Sequence, residues 1–260
     1  MRVVLKPPPN RENPRPMAPS SSFSTLDGLF LCAHGSQDPR AQKGLRTLTE
    51  QVQNAMPTVT VGCGVLEMGP QPLEQQIGDF LISHQLPSVT VLPLFLLSGV
   101  HAEVDIPEAI AQVGERVQQT KVLGKSAGLV EFLARTTVLE PNEGIVLFAH
   151  GSRRQEANRQ MSLLAESLAQ SLQTPVLPAF LKEEGSLQQA MSQLQTEGHR
   201  VLVLPHFIFL GGVIDYLMEL IEGIDAARLG PVLSERPGFA QLVLSHGGEA
   251  LSPTKWRVPL

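Results

Sequence analysis

What this chain lacks narrows its chemistry first. It has two cysteines, Cys32 and Cys63, each within a strand-like apolar run and with no CxxC pairing, so an iron–sulfur cluster is not expected. Buried free thiols and a reducing, cytoplasmic setting are the expectation. No apolar stretch reaches the roughly 18 residues of a spanning helix. The longest candidate, around Val201–Val213, is broken by Pro205, His206 and Gly211-Gly212. No basic tract follows the N-terminal segment and the formal net charge is -5, which argues against nucleic acid as a partner. No dinucleotide fingerprint and no GxxxxGK[ST] loop occurs, so no nucleotide-binding motif is found. Charged residues make up only 17% of a 260-residue chain, which suits a globular protein with a sizeable core.

Residues 1–25 are rich in proline and serine and lack periodicity, which predicts a disordered leader rather than a targeting helix. From Leu26 onward, strands and helices alternate. Gly28–Ala33 reads as a buried strand, followed by a helix to about Met56 with Leu45, Leu48 and Val52 on one face. Thr58–Leu66 is a second strand. A helix carrying Leu73, Ile77, Phe80 and Leu81 follows, then a third strand, Val89–Leu97. Pro107–Gln119 reads as helix, Lys121–Gly124 as a short fourth strand and Ser126–Leu139 as a further helix. These strands are too apolar to have a wet face, so a parallel sheet covered on both sides is predicted.

After the turn cluster Glu140–Gly144 the pattern restarts. The segment around AHGS at Ala149–Ser152 repeats AHGS at Ala33–Ser36; Pro175–Glu183 echoes Val59–Glu67, and Arg200–Gly212 echoes Ser88–Val100. The intervals at the three landmarks are nearly equal, which indicates internal duplication. The expected architecture is α/β: two similar three-layer α/β/α domains with parallel sheets. The N-terminal domain covers 26–141 and the C-terminal domain 142–260. Trp256, in the tail, would cap a core or a seam between the domains.

Three ionisable residues, His34, Glu67 and His101, each fall just past the C-terminal end of a predicted strand, where open α/β sheets place their sites. Two imidazoles and a carboxylate suit a borderline divalent metal such as cobalt, nickel, zinc or ferrous iron. The same set suits acid–base chemistry, because imidazole titrates near neutrality. The alternatives of a structural turn histidine at His34 and a surface carboxylate at Glu67 stay open at this level. Glu103 and Asp105 alternate with His101 and would share its face in an extended segment, but Asp105, before Ile106-Pro107, is expected to cap a helix that starts at the proline. In the second copy His150 matches His34, whereas Lys182 stands opposite Glu67 and Val213 opposite His101. Arg153 and Arg154 are candidate partners for substrate carboxylates. His206 is expected to be a satisfied, semi-buried histidine, and His84, His199 and His246 to have no functional partner.

The segments LCAHGS, VLEMGPQPL and PLFLLSGVHAEVDIP together resemble the CbiX/SirB family of sirohydrochlorin chelatases, in its long form of two tandem units. The resemblance runs from about Leu26 to Leu251. It implies a lyase that inserts a divalent metal (cobalt or ferrous iron, with nickel a third candidate) into sirohydrochlorin for cobalamin or siroheme biosynthesis. It implies His34 and His101 as metal-binding catalytic residues and Glu67 as their catalytic carboxylate, with no nucleotide and no permanently bound cofactor. It also implies a monomer that is an internal pseudo-dimer, with neither nucleic acid nor membrane as partner, and one productive site per chain. A metal or tetrapyrrole carrier without turnover is the alternative.

Overall fold

The computed structural model describes residues 27–152, 155–224 and 226–250. The leader, Arg153, Arg154 and Trp256 lie outside the described residues. In the first half, β1 (Asp27–Ala33), α1 (Pro39–Ala55), β2 (Thr60–Val65), α2 (Leu73–Ser83), β3 (Ser88–Pro93), α3 (Ile106–Val113), β4 (Val117–Gln119) and α4 (Leu129–Thr136) follow one another. The second half repeats the series as β5 (Glu143–Ala149), α5 (Gln155–Leu172), β6 (Val176–Phe180), α6 (Ser186–Thr196), β7 (Arg200–Pro205), α7 (Gly212–Ile221), β8 (Ala227–Leu229) and α8 (Phe239–Ala250). Each half holds a four-stranded parallel sheet, in the orders β2-β1-β3-β4 and β6-β5-β7-β8. The duplication extends to register. Cys32 pairs with Pro93 across β1 and β3, and Phe148 with Pro205 across β5 and β7.

The two faces of each sheet are apolar for different reasons. Phe30 and Cys32 of β1 look into an outer core with α2 and α3, where Leu73, Ile77 and Ile106 are buried. Leu29 and Leu31 face the other way, into a core that also takes Ile145 and Leu147 of β5. The inner helices therefore serve both halves, with α4 against α5 and α1 against α8. Phe132 and Phe239 meet there with ring centroids 5.8 Å apart. Strands this apolar on both faces cannot stand alone at a wet surface, so the halves associate as a pseudo-dimer through one continuous core.

Polar groups fix the seam. The buried Arg236 guanidinium donates to the hydroxyls of Thr136 (3.0 Å) and Thr137 (3.2 Å) at the end of α4. His246 of α8 lies 2.8 Å from the Lys121 carbonyl, so it does have a partner, supplied by the other half. Within the second half, Glu143 of β5 is buried and its carboxylate accepts from Arg228 of β8 at 2.6 and 2.7 Å, which holds it below the usual carboxylate range.

Some predicted boundaries shift. The strand expected at Lys121–Gly124 lies earlier, at Val117–Gln119, because Gly114 (φ 110°) ends α3 at Val113. Leu123–Lys125 forms a 3-10 turn instead. β3 stops at Pro93, and Leu94 adds one more bond to Cys32 (2.7 Å) before the chain turns. The helix expected over Ser126–Leu139 is confined to Leu129–Thr136.

His206 differs from expectation in chemistry. It is buried, and neither ring nitrogen has a hydrogen-bond partner among the described residues. Desolvation, reinforced by the nearby Arg236 charge, pushes its pKa down from 6.5 to about 4. The folded state therefore resists a proton that the unfolded chain accepts. The resulting stability is complete above pH 6.5 and falls by about 3 kcal/mol as pH drops to about 4. The matching residue of the first half is Leu94, itself buried. Denaturant melts of His206→Leu across this window should show a flattened acid limb; an unchanged limb would show that His206 does not cause it.

Candidate metal centre

The site is built at the end of the central strand β1. Beyond the last residues of β1 and β2, pairing continues: the Leu66 N–H donates to the Ala33 carbonyl (2.9 Å) and the Glu67 N–H to the His34 carbonyl (2.8 Å). Glu67 is thus held opposite His34 by backbone alone. Gly35 passes so close that a Cβ would lie 1.9 Å from the Glu67 carbonyl oxygen, and its φ is +109°. A side chain there would meet both a clash and a strained backbone.

His101 arrives from β3, on the other side of β1, through the turn after Ser98-Gly99. The Ala102 and Glu103 N–H groups both donate to the Gly99 carbonyl (3.1 and 2.9 Å). Helical structure therefore starts before His101 and not at Pro107. Residues His101–Asp105 form one π-helical turn, closed by the Ile106 N–H on the His101 carbonyl, and it runs straight into α3. Pro107 lacks the N–H that would bond the Glu103 carbonyl, and its ring crowds that oxygen; a widened turn just ahead of the proline relieves both.

This corrects the expected role of Asp105. Its φ of -65° and ψ of -44° are helical, and its side chain makes no capping bond. Its Oδ2 instead lies 2.7 Å from Nδ1 of His101. The segment is not extended, so Glu103 does not share a face with His101 and Asp105.

The three predicted residues come together. His34, Glu67 and His101 each offer a ligand atom within 4.8 Å of the other two, the one such group among the described residues. His34 Nε2 and Glu67 Oε2 are 3.9 Å apart, too far for a hydrogen bond. The imidazoles of His34 and His101 meet edge to face at 4.8 Å, and Phe95 stands 6.2 and 6.4 Å from them as an apolar wall. Ligand atoms around one first-row ion lie roughly 3–3.5 Å apart at metal–ligand distances of about 2.0–2.2 Å. Modest side-chain rotation would close this set on an ion. The side chains are 46%, 47% and 39% exposed, so the cluster is an open one.

The second half preserves the backbone and not the three side chains. The Lys182 N–H donates to the His150 carbonyl (3.2 Å) as Glu67 does to His34, and the Ile214 N–H to Gly211 (2.8 Å) as Ala102 does to Gly99. Lys182 and Val213 therefore occupy the places of Glu67 and His101. His150 Nδ1 lies 3.3 Å from the adjacent Gly151 carbonyl.

A family model described as CbiX matches residues 28–138 and 144–247. The chain belongs to the CbiX family. The sirohydrochlorin ferrochelatase of Bacillus subtilis (strain 168) is 24% identical over 223 residues, 81% of this chain and 85% of that protein. The sirohydrochlorin ferrochelatase of Priestia megaterium is 27% identical over 252 residues, covering 88% of this chain and 92% of that one. The solved structure of SirB from Bacillus subtilis with Fe3+ superposes with a TM-score of 0.75 at 20% identity, covering 88% of this CbiX chain and 96% of that one, and so shares the fold.

Sequence reasoning did not find Arg40. It pairs with Asp38, the α1 cap, and reaches over to Asp215 of α7 in the other half (2.7 Å), holding both carboxylates below their usual range. No local spacing announces a partner 175 residues away.

Gly35→Ala should cost roughly 1–3 kcal/mol from backbone strain, with more from the clash, and should displace Glu67. Thermal melts together with Co2+ titration check this; a variant with wild-type stability and Co2+ affinity would show that the close approach is not needed.

Proposed function

We propose that the chain is a sirohydrochlorin chelatase that inserts a divalent metal, cobalt or ferrous iron, into the tetrapyrrole for siroheme or cobalamin synthesis. The supporting observation is the open convergence of His34, Glu67 and His101. In this reading His34 and His101 bind the metal substrate and, with Glu67, form the catalytic set. The N-terminal half, 26–141, carries the site, and 142–260 forms a wall without its own ligand set. Relatives named sirohydrochlorin ferrochelatases, matched over most of their length, agree with the reaction class.

The chemistry follows from charge balance. Sirohydrochlorin must lose two pyrrolic protons before a dication sits in its ring. Two neutral imidazoles give the metal a soft, partial coordination shell, and the open side leaves room for ring nitrogens to replace ligands one at a time. As the metal passes to the ring, the two imidazoles that release it, His34 and His101, each accept one of the two pyrrolic protons, and Glu67 beside His34 offsets positive charge so created. Phe95 offers the flat ring an apolar face. No helix among the described residues is long and apolar enough to cross a membrane, and the two thiols are unpaired. A cytoplasmic reaction accords with those thiols.

The test is anaerobic insertion of Co2+ or Fe2+ into sirohydrochlorin, followed by absorbance. His34→Ala and His101→Ala should each lose about 100-fold or more in rate while the tetrapyrrole still binds. His150→Ala should change the rate far less. Wild-type insertion by both first-half variants would overturn the assignment, and binding without insertion by the native protein would favour a carrier.

A further inference from the structure

We infer that Asp105 is the positioning residue of the metal site, fixing His101 in the Nδ1–H tautomer so that Nε2 faces the ion. The inference rests on His101 being a metal ligand, as proposed above. Its geometric basis is the 2.7 Å contact between Asp105 Oδ2 and His101 Nδ1. A neutral imidazole has one N–H and one lone pair, and an ionised carboxylate can only accept. The proton at that contact therefore belongs to Nδ1, and the lone pair to Nε2. An imidazole left to itself populates the opposite tautomer readily, and in that form Nε2 cannot bind a metal. A carboxylate behind a metal-binding histidine removes this competition and fixes the ring's rotation.

The π turn makes the contact possible. Were 101–105 extended, the two residues would be about 13 Å apart along the strand. One helical turn sets them side by side, and the turn owes its widened form to Pro107.

The internal duplication supplies a control within the same molecule. In the second half Val213 replaces His101, Leu217 replaces Asp105 and Glu219 replaces Pro107, while α7 is an ordinary α-helix over Gly212–Ile221. Leu217 is buried in its own core. Histidine, aspartate, proline and widened turn are present together in one half and absent together in the other. A carboxylate that merely began or solubilised a helix would have no reason to follow the histidine. Asp105 is half-exposed in the first half, so the apolar core does not explain its place either.

Long-range 1H–15N NMR of the metal-free, full-length 15N-labelled protein reads the tautomer directly, at about pH 8.5, roughly two units above the ordinary imidazole value. The His101 signals are assigned by their loss in His101→Ala. The native protein should show Nδ1 protonated and Nε2 bare. In Asp105→Ala, Nε2–H should become substantially populated and Co2+ should bind about 10-fold more weakly. Native His101 protonated at Nε2 would overturn the inference, even if no Asp105 variant folds. So would a folded Asp105→Ala with the native tautomer and native Co2+ affinity. The NMR result does not depend on turnover: failed insertion with the Nδ1–H tautomer intact would remove the chelatase reading and leave the positioning role, while the reverse outcome would remove only the latter.

Discussion

The hydrogen bond from the Glu67 N–H to the His34 carbonyl, 2.8 Å long and beyond the last residue of either strand, is the constraint on which the site depends. It carries parallel pairing into what would otherwise be loop, and Gly35 makes room for it. With backbone holding Glu67 opposite His34, neither side chain has to reach for the other. Both stay available to an ion. β1 lies between β2 and β3, so His101 comes in from the opposite flank, and side chains from three chain segments meet at one strand end.

The same arrangement explains why the second half keeps the shape of the first without its His34, Glu67 and His101. Its strands, register and turn hydrogen bonds repeat those of the first, because buried apolar side chains and backbone groups specify them. Lys182 stands at the place of Glu67 without a part in that core, and Val213, at the place of His101, packs against it. The shared inner core still requires the second half, since without it the apolar inner face of the first would meet water. Duplication thus separates two demands: both halves supply burial, and one supplies the cluster of His34, Glu67 and His101.

Strand–helix alternation, the duplication and the three converging residues were legible because each leaves a local or periodic trace: apolar runs, turn residues and repeated motifs. The positions of His34 and Glu67 followed from where apolar runs end. Asp105 was misread because Ile106-Pro107 resembles a helix start, and proline inside a continuous helix looks the same in sequence as proline at its first turn. His206 was misread because an apolar run shows that a residue is buried without showing whether its polar atoms find partners. Arg40 left no trace, its partner being contributed by another domain.

The sequence by itself determined the parallel α/β class, the two-fold repetition, and which half retains histidine, carboxylate and histidine at its strand ends. These follow from hydrophobic periodicity and residue identity, which are properties of short segments. Tertiary structure decided how the halves share one core, that His34, Glu67 and His101 come within ligand distance of one another, and that Asp105 turns to His101. Those outcomes depend on strand order and on the path of backbone after each strand, where a missing N–H at Pro107 or a missing Cβ at Gly35 acts only through the neighbours that packing brings close.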